Sequence, residues 1–451
     1  MGTKDRAVSL GERTVGVGYR PQLATTLLAQ PSAVDFVEVV VEVCRDVRAR
    51  REIAALAEVW PVVAHGVKLS LGSAEGIDRD RAREMGRLAR ELRAPVVSEH
   101  VSFVRAGGRE IGHLTELPMT REAVGVVARN VEVLRRELPD VPLLLENVAR
   151  AFVWPERAHE MDEGAFYAEI VDATGCDLLL DVGNLYANAV NTGRDPLALL
   201  ASFPLDRVAM MHVAGGVREH GFYFDTHAHP VPDAVFDLVA HVVASAGAVP
   251  VMVERDADFD GMDTVLVELS RLRAIQASSP APALAPAPAP APALAPALAP
   301  APALAPAQSA LARALTCGDP TTDDAILRAR GVLERKRADD ALPLLPELGA
   351  RLSSHEALAL GNIAGVPRLA TMTAVADAIR IAEAARERPE LAPFAARDLG
   401  LLRARFAGGA EGPRPRAWPY VGRETIGGGK AVWVWKGFGQ GAPVRVRGAR
   451  A

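Results

Sequence analysis

Six short apolar segments of this chain end on, or run straight into, a residue type that holds metal ions. Ala64-His65-Gly66 and Ser98-Glu99-His100 each supply an imidazole, Leu143-Leu144-Leu145-Glu146 a carboxylate and Leu180-Asp181-Val182 a second one. Met211-His212-Val213 brings a further imidazole and Val253-Glu254-Arg255 a further carboxylate. The run Asp225-Thr226-His227-Ala228-His229-Pro230 adds one carboxylate and two imidazoles. A buried strand that finishes on a carboxylate must neutralise it with a cation or hydrogen bonds, because an unpaired buried charge is costly. Imidazole mixed with carboxylate suits Fe, Mn or Zn, whereas Ca and Mg prefer all-oxygen sites. More ligands are on offer than one ion can use. A cluster of two or three ions is therefore expected, with Glu146, central in strand order, as the bridging carboxylate.

A single strand-end His or Asp is ordinarily a hydrogen-bonded structural residue. His113, His159, His220, His241 and His355, outside the series, are read that way. The set taken together is not, since independent packing needs do not place ligand types at corresponding positions of successive strands. Glu38 and Glu42 alternate on one face of a candidate strand. They either face the site or form charge pairs with Arg20 or Lys68. His229 is left open between ligand and support for a ligand.

Such residues need a scaffold that gathers distant strand ends. Candidate strands lie at 15–18, 36–43, 62–67, 95–101, 143–148, 177–182, 208–213 and 249–254. Amphipathic helix patterns over 78–92, 120–138, 163–174, 232–246 and 261–275 stand between most of them. About eight strands alternating with helices over ~250 residues predict an α/β fold, a (β/α)8 TIM barrel with its active site at the strand C-termini. An open doubly wound sheet is the rival. Against it, Gly16-Val17-Gly18-Tyr19-Arg20 lacks the third glycine of a phosphate-binding turn.

The chain has 451 residues, 49% of them hydrophobic and 24% charged, enough for a large domain and a smaller one. A net charge of -5 favours neither nucleic acid nor a membrane as partner. Cys44, Cys176 and Cys317 form neither a disulfide framework nor a CxxC site, and are read as buried or incidental thiols in a reducing cytoplasm. Met1 to Arg6 lacks the apolar core of a signal peptide, and no apolar run approaches the ~20 residues of a membrane helix. Three regions are expected. Residues 1–277 form the metal-binding barrel. Residues 278–308, almost wholly Ala and Pro, form a semi-extended linker of roughly 3.1 Å per residue. Residues 309–451 form a mostly helical domain, with helix patterns at 323–345, 372–386 and 392–406. Its end changes character: 431–436 and 444–447 alternate like edge strands. Arg414, Arg416, Arg423, Lys430, Lys436, Arg445 and Arg447 make this end basic, either a solvated face or a docking surface for an acidic peptide or partner.

Six segments together resemble a known family: His65-Gly-Val-Lys-Leu-Ser-Leu-Gly72, Leu143-Leu-Leu-Glu-Asn147, Leu178-Leu-Leu-Asp-Val-Gly-Asn-Leu-Tyr186, Met211-His-Val-Ala-Gly215, Asp225-Thr-His-Ala-His-Pro-Val231 and Val253-Glu-Arg-Asp256. The family is that of the multinuclear non-heme iron oxygenases, catalogued as DUF692. The likeness runs from about residue 15 to 275 and keeps the motif order. It implies a xylose-isomerase-like TIM barrel, two or three irons of mixed Fe2+/Fe3+ state, and O2 as co-substrate. The reaction implied is oxidation of cysteine residues in a ribosomally synthesised precursor peptide. Carried over residue by residue, His65, His100 and Glu146 would hold one iron, and Glu146, Asp181, His212 and Glu254 the next. Asp225 and His227, with Asn184 nearby, would hold a third, and Glu146, Asp181 and His212 would carry the catalysis.

Two departures matter. Where the family commonly shows Asn-His-Gly, this chain has Asn191-Thr192-Gly193, so its third site is expected to be weak, differently ligated or empty. Glu42-Val43-Cys44 replaces a Glu-Asn-aromatic ending. Relatives of the barrel often need a separate leader-peptide-binding protein. The tethered C-terminal domain is expected to stand in its place, the linker raising the effective concentration of what it captures. Two other readings share the ligand types: another divalent-metal TIM-barrel enzyme (a sugar isomerase or epimerase, or a zinc phosphoesterase), and a non-catalytic metal-binding scaffold.

Overall fold

The computed structural model describes residues 10–45, 47–151, 154–155, 158–219, 221–259, 262–279, 302–369, 372–425, 431–439 and 442–448. His220, Lys430, the first six residues and most of the expected linker lie outside them. Eight strands form a closed barrel: β1 (Val15–Gly18), β2 (Phe36–Val40), β3 (Val62–Gly66), β4 (Val97–His100), β5 (Leu143–Glu146), β6 (Asp177–Asp181), β7 (Val208–Val213) and β8 (Val251–Val253). Each pairs in parallel with the next in the chain, and β8 closes on β1. The expected barrel is thus present, with six of its strands shorter than the apolar runs. Pairing of β2 stops at Val40, and Val41–Arg45 form a 3-10 turn instead of extending the strand to residue 43.

The barrel interior explains the ligand series. Phe36, Val63, Leu144, Leu179, Met210 and Met252 form one buried apolar cluster. Side chains on a strand return to the same face every second residue. Two residues beyond each of these stand Glu38, His65, Glu146, Asp181, His212 and Glu254. The interior therefore has an apolar floor and, one layer nearer the strand C-termini, a polar ring. Gly16 makes room for the floor, because a Cβ there would lie 2.5 Å from the Phe36 ring.

Helices follow where local capping dictates. Asp78 accepts from Asp80 N and Arg81 N to start Arg79–Leu92, Thr120 caps Arg121–Arg135, and Asp162 caps Glu163–Thr174. The helix Val182–Thr192 was not anticipated: β6 passes into it without a turn residue, Asp181 being at once the last strand residue and the N-cap. Two antiparallel hairpins were also missed. One pairs Phe103–Ala106 with Arg109–Thr115, the other Gly215–Glu219 with Phe222–His229.

The chain divides into two compact units, the second made of residues 105–113 and 307–451. The second unit has its own core, including Leu345, Leu348, Ile363, Ile381 and Leu399. Its helices include Asp324–Ala341, Thr373–Arg386 and Ala392–Arg405, and a three-stranded antiparallel sheet ends the chain. Ala431–Lys436 is the central strand of that sheet, between Tyr420–Thr425 and Val444–Gly448, not an edge as its alternation suggested. The expected linker is also shorter at its end, since Leu304–Thr316 is helical. Among the described residues no helix is long and apolar enough to cross a membrane, and all three cysteines are free.

Candidate metal centre

The strand-end residues meet inside the barrel. Three sets of ligand atoms each fall within 4.8 Å of one another: His65, His100 and Glu146; Glu146, Asp181, His212 and Glu254; and His227, Glu254 and Asp256. His65, Glu146, Asp181 and His212 are at most 1% exposed. Glu146 joins the first two sets through different atoms. Its Oε2 lies 3.7 Å from His65 Nε2 and 3.3 Å from His100 Nε2, whereas its Oε1 lies 3.3 Å from His212 Nδ1. Glu254 joins the last two, its Oε2 being 3.5 Å from both His212 Nδ1 and His227 Nδ1.

Each imidazole has one nitrogen held and the other turned inward. His65 Nδ1 contacts Ser98 Oγ at 2.9 Å, and His100 Nδ1 contacts the Gly66 carbonyl at 3.2 Å. His212 Nε2 contacts Glu38 Oε2 at 3.1 Å, and His227 Nε2 contacts Asp225 Oδ2 at 2.6 Å. Partners of this kind fix ring orientation and tautomer, as they do around metal-bound histidines. Glu38 thus faces the site. Glu42 instead accepts from the Val67 backbone N–H at 3.3 Å. Glu99, fully buried, accepts from His100 N and Leu69 N, fixing the backbone that carries one ligand.

Four of the converging atoms are buried with no hydrogen-bond partner among the described residues, Glu146 Oε2, Asp181 Oδ2, His212 Nδ1 and His227 Nδ1, and so is Asp225 Oδ1. Buried polar atoms are normally satisfied, so such a concentration needs an occupant. The electrostatics agree. Burial would raise the Glu146 carboxyl, but His100, His212 and His65 outweigh it and hold it at about 2. Asp181 is pushed well up by burial and by Asp225 and Glu146, a cost that an added cation removes. The donor set of imidazoles and carboxylates fits metal ions of the Fe, Mn or Zn kind.

The third set differs from expectation. Asp225 contacts the far nitrogen of His227, while Nδ1 points to Asp256 Oδ2 at 3.4 Å. Asp256, not singled out from the sequence, is thus the carboxylate that joins His227 and Glu254. Its other oxygen, Oδ1, accepts from Arg20 Nε at 2.9 Å. Asn184 is tied into the scaffold, its Nδ2 donating to the Asn147 carbonyl at 3.0 Å and its backbone N–H to Asp181 Oδ1 at 2.7 Å. His229 belongs to none of the three sets and pairs its Nδ1 with Thr226 Oγ1 at 2.8 Å. The Thr192 hydroxyl turns back to donate to the Asn188 carbonyl of its own helix. His227 holds its place in a left-handed backbone conformation with φ 53°.

Comparison with known proteins bears on the barrel. The profile of a family described as RiPP precursor modification enzyme MbnB/TglH/ChrH matches residues 14–277. A UPF0276 protein of Streptomyces avermitilis is 39% identical over 280 residues, 60% of this chain and 57% of that relative. A UPF0276 protein of Caulobacter vibrioides is 38% identical over 273 residues, 60% of this chain and 96% of that relative. Among solved structures, endonuclease IV from Thermus thermophilus superposes with a TM-score of 0.40 at 17% identity, covering 57% of this chain and 98% of its own. A xylose isomerase domain protein from Planctomyces limnophilus does so with 0.41 at 13% identity, covering 59% and 98%.

Proposed function

Because this chain belongs to the MbnB/TglH/ChrH family of RiPP precursor modification enzymes, we propose that its barrel is a multinuclear non-heme iron oxygenase. Its substrate is a ribosomally synthesised precursor peptide, whose cysteine residues it oxidises with O2. The observation that carries this reading is the cluster of unsatisfied buried ligand atoms on Glu146, Asp181, His212 and His227. Iron held there supplies the redox chemistry toward O2 and a position that a thiolate can take.

The protein's own part is positional. Ser98, the Gly66 carbonyl, Glu38 and Asp225 each hold one imidazole nitrogen, leaving Nε2 of His65 and His100 and Nδ1 of His212 and His227 as donors. Glu146 presents one oxygen to each of two neighbouring sets, so it would be shared between ions held in both. Apolar packing below the ring, from Phe36 to Met252, keeps water from that side.

The test is turnover of a Cys-containing precursor by the purified, iron-analysed protein, with and without O2. Product should form only aerobically and with iron, and Glu146→Gln and His212→Ala variants that retain the fold should yield none. Undiminished product without O2, or equal turnover by the zinc-loaded protein, would defeat the proposal.

A further inference from the structure

The terminal sheet of the second unit has two unlike faces. On the inner face Val432 and Val434 are buried against Ala396 and Ala404 of the helix Ala392–Arg405. Lys436 also points inward, its Nζ donating to the Arg416 carbonyl at 2.8 Å, so it is no part of a basic surface. The outer face reads in two rows across the strands. Arg423 pairs with Trp433 and Trp433 with Arg447, while Val421 pairs with Trp435 and Trp435 with Arg445.

Among the described residues that outer face is apolar and cationic and carries no acid. Val421 is 73% exposed and Trp433 49%. The carboxylate of this sheet, Glu424, lies on the inner face, where it accepts from Arg403 at 2.8 Å. Among the described residues Arg423, Arg445 and Arg447 make no ion pair. Among the described residues both outer strands, Tyr420–Thr425 and Val444–Gly448, pair on one side only. At one end of the sheet Trp418 and Phe438, 72% and 74% exposed, add aromatic surface.

We propose that this face docks an extended acidic segment of the precursor peptide, a proposal that rests on the peptide-modifying reading above. Carboxylates at every second position of an extended chain would meet the arginine rows, and the apolar side chains between them would cover Trp433 and Trp435. An open strand edge offers backbone hydrogen bonds to the same segment. A single-stranded nucleic acid is the rival for an Arg and Trp surface. The chain's membership of a family that modifies precursor peptides favours the peptide.

The experiment uses the full chain and a fluorescein-labelled peptide of alternating Glu and Leu, with a Lys and Leu counterpart and poly(dT) as competitors. The acidic peptide should bind, quench Trp fluorescence, and weaken as salt is raised. In the R445E/R447E protein its Kd should rise by at least about tenfold, and an R445K/R447K protein should retain most of the affinity. An unchanged Kd in R445E/R447E, or tighter binding of poly(dT) than of the acidic peptide, overturns the proposal. Iron content measured on the same samples separates the two claims. A protein that binds the peptide but takes up no iron counts against the oxygenase reading and not against this surface.

Discussion

Glu38 Oε2 lies 3.1 Å from His212 Nε2, a buried contact between β2 and β7 that reaches across the barrel interior. The carboxylate thereby orients the imidazole whose other nitrogen faces Glu146 and Glu254. Replacing Glu38 with Ala should lower metal affinity by about 10- to 100-fold, as loss of such supporting carboxylates generally does. Chelator competition checks this. Unchanged affinity would show that Glu38 serves packing alone.

Asp256 and Asp225 sit on opposite nitrogens of His227. In an Asp256→Asn protein the metal-to-protein ratio should fall by about one, since a set reduced to His227 and Glu254 has too few ligands. Asp225→Asn should weaken the same ion without abolishing it. Elemental analysis of the two variants decides the matter, and the reverse order of loss would restore Asp225 as the ligand.

Metal uptake should strengthen with pH. Burial would lower the His100 imidazole, yet Glu146 and Glu99 raise it from 6.5 to about 9. His212 is likewise raised against burial by Glu38 and Glu146, and His227 by Asp225 and Glu254. Proton and metal compete for the same nitrogens, so apparent affinity should climb between about pH 6 and about pH 9. The metal-free protein runs the other way. The stability that His100 contributes as an imidazolium is fully present below 6.5 and is lost as pH rises through about 9. Affinity and Tm measured across this window check both signs, and a flat affinity profile contradicts the assignment.

Arg255 points away from the ring that Glu254 joins, its Nη2 lying 3.1 Å from both carboxylate oxygens of Glu268. Arg255→Ala should destabilise the protein by about 3 kcal/mol, because Glu268 is left buried without its cation. Replacing both residues with Met should recover most of that loss. Thermal melts measure it; equal Tm values for the single and double variants would mean that the pair is not coupled.

Much of this centre was legible in the sequence because strand periodicity is rigid. Once 62–67, 143–148, 177–182 and 208–213 are read as parallel strands of one barrel, His65, Glu146, Asp181 and His212 must share a level. What was hidden depended on geometry after the strands end. Asp256 lies three residues beyond β8, where no periodicity fixes direction, and Asp225 two residues from His227 looked like the natural co-ligand. Glu38 was visible two residues after Phe36 but could not be told from a surface charge without knowing that β2 faces β7. The helix Val182–Thr192 escaped notice because its start signal is Asp181, itself a candidate ligand.

That double duty of Asp181 limits how the centre can respond to its occupants. Oδ1 is committed to the Asn184 amide, and Asn147 clamps the backbone on both sides, donating to the Asp181 carbonyl at 2.9 Å and accepting from its N–H at 2.8 Å. A carboxylate so anchored offers one oxygen and cannot rock between one-oxygen and two-oxygen grips. If ions are held there, any change of grip during the proposed reaction would fall to Glu146 and Glu254, with Asp181 as the fixed member of the set.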